Sequence, residues 1–177
     1  MASTLEQGIG LVNFEVYLSG TDRLLGLAQL ELPTLEMATV DISGAGIMGQ
    51  ISMPIRANLN SLEVKLTWRR LEKAAATLSA HKSVHLSLYS DQEGIDAATN
   101  EFSDPSHYVE IVGVPKTLNL GKWEPSSTVD AETTLEVITL KYTVDGEERI
   151  EFDKLNYIYR VNGEDYAEPY RLAVGLR

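Results

Sequence analysis

Apolar residues recur at every second position along much of this chain, and a side-chain period of two is the signature of a β-strand with one covered face. In Ser61–Arg69, Leu62, Val64, Leu66 and Trp68 fall on one side and Glu63, Lys65, Thr67 and Arg69 on the other. Ser83–Tyr89 places Val84, Leu86 and Leu88 together, Asn13–Leu18 alternates around Phe14 and Val16, and Tyr108–Val114 is a β-branched run. Leu155–Val161 alternates up to the turn pair Asn162-Gly163, and after Pro169 the series Tyr170, Leu172, Val174, Leu176 predicts a terminal strand.

Thr133–Asp153 reads as a hairpin about Asp145-Gly146. A two-residue loop would pair Tyr142 with Arg149 and Leu140 with Glu151 and mix the faces. A three-residue loop, Asp145–Glu147, pairs Tyr142 with Ile150 and Leu140 with Phe152, and is the preferred reading. One segment is helical in composition: Leu71–Ala80, with Leu71, Ala75 and Leu78 at one-face spacing. The polar stretch from Ser90 to His107 reads as a long loop. The class expected is mostly β with one short helix, a sandwich or barrel. The 177 residues suit a single domain, 1–177.

No cysteine is present, which excludes disulfides, thiolate metal sites and a cysteine nucleophile. No apolar run approaches the roughly 20 residues that span a bilayer. Met1–Gly10 has neither a basic residue nor an apolar core, so neither a secretory signal nor membrane anchoring is expected. A net charge of −11 argues against wrapping of DNA phosphates and, at its simplest, serves solubility.

Gly44-Ala45-Gly46-Ile47-Met48-Gly49 matches G-x-G-x-x-G. A dinucleotide site needs a helix to follow, and Gln50-Ile51-Ser52-Met53-Pro54-Ile55 opposes one. The loop is better read as backbone that bends sharply or lies close to another chain. His81 and His85 straddle the end of the expected helix, so with His107 they form no zinc pattern. Asp91, Glu93 and Asp96 lack the glycine position and closing glutamate of a calcium loop. No nucleophile with a base is recognisable. No catalytic, cofactor or metal residue is assigned, and an enzyme is not expected.

Several segments, in order, resemble the major tail tube protein of contractile-tailed bacteriophages. These are Asn13-Phe14-Glu15-Val16-Tyr17-Leu18-Ser19-Gly20, then Gly26-Leu27-Ala28 with Leu32-Pro33-Thr34-Leu35, then the loop Ser43–Gly49. Tyr142-Thr143-Val144-Asp145-Gly146, Ile150-Glu151-Phe152-Asp153, Val161-Asn162-Gly163-Glu164-Asp165 and Val174-Gly175-Leu176 complete the series. The family is related to the tubes of headless phage-tail bacteriocins and to the type VI secretion tube protein.

The resemblance implies two packed antiparallel sheets, a sandwich or barrel-like tail-tube fold, with one short flanking helix. It implies hexameric rings stacked into a hollow tube inside a contractile sheath, as a conduit for DNA ejection or the membrane-piercing needle of a headless particle. Its partners would be other copies of itself, the sheath protein, and baseplate, initiator and terminator proteins. The protein would be made in the bacterial host cytoplasm and end in a virion tail. Gly44–Gly49 would then serve contacts between subunits or rings. Glu63, Glu110, Glu136 and Glu151, on polar strand faces, are candidate lumen carboxylates that let DNA pass without sticking. The alternatives are a type VI-like secretion tube or a monomeric β-sandwich binding module.

Overall fold

The computed structural model describes residues 6–18, 22–24 and 26–176. In chain order the elements are β1 (Glu6–Leu18), β2 (Asp22–Arg23), β3 (Leu27–Glu31), β4 (Met37–Ser43), β5 (Gln50–Leu59), β6 (Glu63–Trp68) and α1 (Lys73–Leu78). They continue with β7 (Val84–Asp96), β8 (Phe102–Ser103), β9 (Ser106–Asn119), β10 (Ala131–Val144), β11 (Glu147–Asp153), β12 (Ile158–Val161), β13 (Glu164–Asp165) and α2 (Glu168–Ala173). No helix among the described residues is long and apolar enough to cross a membrane.

Eleven strands form one antiparallel sheet that forks at β10. The N-terminal half of β10 pairs with β6, which carries β3, and its C-terminal half pairs with β11. Its other edge pairs with β9 along nearly the whole length. The main path runs β13-β12-β11-β10-β9-β7-β1-β2 and ends on two short strands, so the sheet stays open. The expected barrel closure is therefore not observed. In place of two separate packed sheets, eleven strands hydrogen-bond into one forked sheet, and β4 and β5 form a separate two-stranded sheet.

The alternation predicted for β6 is exact in its burial: Leu62, Val64, Leu66 and Trp68 are inside. They meet Val84, Leu86 and Leu88 of β7, Val109 and Ile111 of β9, Leu135 and Leu140 of β10, and Phe152 of β11 in one apolar cluster. Helix α1 lies inside the predicted Leu71–Ala80 and buries Ala75 and Leu78; Leu71 stays exposed.

Four local expectations are corrected. The β10–β11 pairing of Tyr142 with Ile150 and Leu140 with Phe152 holds, but the loop has two residues, Asp145 and Gly146, both with positive φ. Arg149 is an extra residue on β11, opposite the step from Tyr142 to Thr143, and that bulge restores the register. The stretch 90–107 is not one loop: β7 continues to Asp96, held by backbone pairing to β1. Leu155–Val161 is strand only from Ile158, because the Asp153 carboxylate accepts the N–H groups of Leu155 and Asn156 and turns the chain. The terminal segment forms α2 and not a strand, with Pro169 at its first turn, where a missing N–H costs nothing. Two short helices thus flank the sheet, not one.

Gly121 closes the loop between β9 and β10. Its φ is +76°, and a Cβ there would stand 2.1 Å from the Val129 carbonyl oxygen, which accepts the Lys122 N–H at 2.8 Å. Gly121→Ala is expected to destabilise the fold by more than about 2 kcal/mol in urea denaturation, since neither conformation nor space allows a methyl group.

Candidate functional site

The glycine loop is the tip of the β4–β5 hairpin. Gly44, Gly46 and Gly49 have φ of +148°, +91° and +100°, and Ile47 N–H donates to the Gly44 carbonyl. A strand follows the loop, not the helix that a pyrophosphate site requires. An added Cβ at any of the three glycines would meet nothing within 4 Å. Within the chain, then, glycine is needed there for conformation and not for close approach. Met48 projects fully into solvent at the tip.

Behind the tip the hairpin is two-faced. Val40 opposes Met53 and Ile42 opposes Ile51, while Thr39, Asp41 and Ser43 oppose Pro54, Ser52 and Gln50. Ile55 continues the apolar side. These five apolar side chains are between 37% and 50% exposed. Neither strand of the hairpin ladders with the main sheet. Its root is irregular: Met37 pairs with Leu59 and Thr39 with Pro54, so residues 55–58 bulge out, and Ala57 takes a φ of +56°. The alternation around Pro54 escaped sequence reading because Pro54 argues against a central strand; on an edge it is tolerated.

A second exposed apolar feature is a groove of about 630 Å³ between β3 and the start of β1, lined by Ile9, Leu11, Phe14, Leu30 and Leu32. No cluster of three or more His, Asp or Glu able to hold a metal occurs among the described residues. Tyr142 and His107 stack, with Oη and Nδ1 2.7 Å apart, while His81 and His85 lie exposed beyond α1.

The four candidate carboxylates fall into two clusters, and each is engaged. Glu63 accepts from Lys116 Nζ at 2.5 Å. Glu136 takes the Ser61 hydroxyl, the Leu62 N–H and Lys154 Nζ at 2.6, 3.2 and 3.3 Å. Burial raises the Glu136 pKa, but these donors outweigh it and hold the carboxyl below its ordinary range. The other two sit on a row that crosses the sheet in register: Ser87, Glu110, Lys141, Glu151, Arg160, Asp165. Signs alternate from Glu110 onward. Arg160 Nη1 lies 2.5 Å from Glu151, and Glu110 accepts the Tyr108 hydroxyl at 2.6 Å. Burial first, then that acceptor, pushes the Tyr108 phenol up to about 12.

The family model described as phage tail tube protein FII matches residues 10–175. The tail tube protein of Escherichia phage P2 is 26% identical over 171 residues, covering 91% of this chain and 94% of that protein. Among solved structures, the sheath/tube terminator of an extracellular contractile injection system, in its extended state, aligns at a TM-score of 0.53. That alignment is 13% identical and covers 76% of this chain and 96% of the other. The sheath-tube complex of the same system gives a chain at 0.51, also 13% identical, covering 74% and 88%. At such identity the likeness is one of fold.

Proposed function

The chain belongs to the phage tail tube protein FII family, and from that premise we propose that it builds hexameric rings that stack into a hollow tube inside a contractile sheath, through which DNA leaves the particle. Its role is structural and not catalytic, and its place is the virion tail or a tail-like injection apparatus. The sheath partnership draws support from the fold shared with a sheath-tube complex. Baseplate, initiator and terminator proteins would bound the tube at its ends.

The observation that carries the assembly reading is the β4–β5 hairpin. Five half-exposed aliphatic or thioether side chains present roughly 300–400 Å² of contiguous apolar surface, the size at which a patch on a monomer is commonly functional. Covering it is worth roughly 8–10 kcal/mol gross at about 25 cal/mol per Å², before the losses of association are subtracted. A monomeric binding module would leave that face in water. The tip Gly44–Gly49, with Met48 at its apex, would lie against a neighbouring subunit or ring.

In this reading DNA passes without sticking because the carboxylates near it carry no bare cation beside them. Glu63, Glu110, Glu136 and Glu151 remain candidates for the lumen, but the paired cations Lys116, Lys154 and Arg160, and Lys141 across the strand pair from Glu110, weaken the repulsion each can exert. A row of alternating signs offers phosphate no continuous positive track. The test of assembly is light scattering after size exclusion: the mass should rise with concentration from monomer to multiples of it. A monomer mass across the whole range would remove the proposal.

A further inference from the structure

Charge is unevenly placed along the strand direction. β7 has thirteen residues, so at about 3.3 Å per residue its ends stand roughly 40 Å apart. Just before it, residues 69–82 hold Arg69, Arg70, Lys73 and Lys82 against one carboxylate, Glu72. Glu72 is paired with Arg70. Arg69, Lys73 and Lys82 are exposed and have no carboxylate partner among the described residues.

The opposite end reverses the sign. Residues 90–106 hold Asp91, Glu93, Asp96, Glu101 and Asp104 and no Lys or Arg. None of the five has a cation partner among the described residues. Each end also presents an aromatic ring to solvent. Trp123, 80% exposed, rides on a loop tied to the basic end by the Val129 N–H donating to the Arg69 carbonyl. Phe102, 68% exposed, stands among the acidic residues on β8.

We propose that copies of this chain engage head to tail, the basic end around Trp123 of one copy against the acidic end around Phe102 of the next. This rests on the self-assembly reading and names a contact for it apart from the hairpin. Complementary charge is the argument for a second copy as the occupant: head-to-head or tail-to-tail contacts would set like charges against each other. The contact is heterologous, so every stack of copies leaves one basic end and one acidic end open and growth keeps a direction.

Because the whole chain carries −11, salt weakens general repulsion along with this attraction, and a charge swap is the deciding experiment. Lys73→Glu with Lys82→Glu takes the chain from −11 to −15, two reversals of two units each, and Glu101→Lys with Asp104→Lys takes it to −7. General repulsion alone predicts that the second pair improves assembly. The head-to-tail contact predicts that either pair raises the concentration needed for assembly by roughly tenfold or more. Joined in one chain, the four changes should return it to within about threefold of the unaltered protein. All four positions are exposed, and a carboxylate in the first turn of α1 suits the helix dipole, so circular dichroism should report an unchanged fold. Assembly of the Glu101→Lys, Asp104→Lys protein at or below the normal concentration, or no rescue in the fourfold variant, overturns the inference while leaving self-assembly intact. An unaltered protein that never leaves the monomer state removes both. Reversals that spare assembly yet abolish retention on the sheath protein would assign the basic end to the sheath and overturn the inference.

Discussion

Ile42→Lys combined with Ile51→Glu abolishes assembly and leaves the body of the fold at its normal melting temperature. The two residues oppose each other across β4 and β5, so the new charges attract within the hairpin and its pairing is kept. Net charge is unchanged. What changes is the face offered to a neighbour: two charged groups now enter a contact that was apolar, and each must be stripped of water or keep the surfaces apart. A loss of about 3 kcal/mol or more per contact corresponds to at least a hundredfold rise in the concentration required for assembly. The body is spared because the hairpin forms a sheet of its own, outside the main sheet. Sedimentation at matched concentrations and a thermal melt by circular dichroism test both halves. Normal particles from this variant would mean that the hairpin face is not an assembly surface.

The largest effect on folding is expected at Trp68. Its side chain is fully buried at the end of β6, where Leu27 of β3 and Ala131 of β10 flank it. Its Nε1–H donates to Thr133 Oγ1 at 3.0 Å, and Thr133 is also fully buried. Trp68→Ala removes the buried packing where β6 lies between β3 and β10 and should cost about 3–5 kcal/mol. For a domain of this size that lowers the melting temperature by roughly 6–20 °C. Trp68→Phe keeps most of the volume but leaves the Thr133 hydroxyl unsatisfied, at about 1–3 kcal/mol. Adding Thr133→Val should recover part of that loss, because it removes the orphaned hydroxyl. A Trp68→Ala protein within about 1 kcal/mol of the original in urea would contradict the placement of this core.

What could be read from the sequence follows what burial enforces. β6 and the first half of β7 were legible because every second side chain is covered, and α1 because Ala75 and Leu78 must face the sheet. The Leu140–Phe152 pairing was legible for the same reason, although the bulge at Arg149 that produces it was not. Where backbone pairing alone holds a strand, as in residues 90–96, polar side chains left no period to read. Tyr170, Leu172, Val174 and Leu176 alternate like a strand yet sit on or beside α2, because Pro169 favours a first helical turn. The glycine loop was visible as a motif, but the hairpin beneath it was hidden by Pro54. The partners that engage Glu63, Glu110, Glu136 and Glu151, hydroxyls and cations together, lie up to 75 residues away in the chain, which no local pattern carries.

Electron microscopy of the purified protein at high concentration, with and without a tail initiator, tests the central claim most directly. The account predicts rings with six-fold symmetry and, with the initiator, hollow tubes built from them. Single compact particles of one chain under both conditions, or fibres without a lumen, would contradict it.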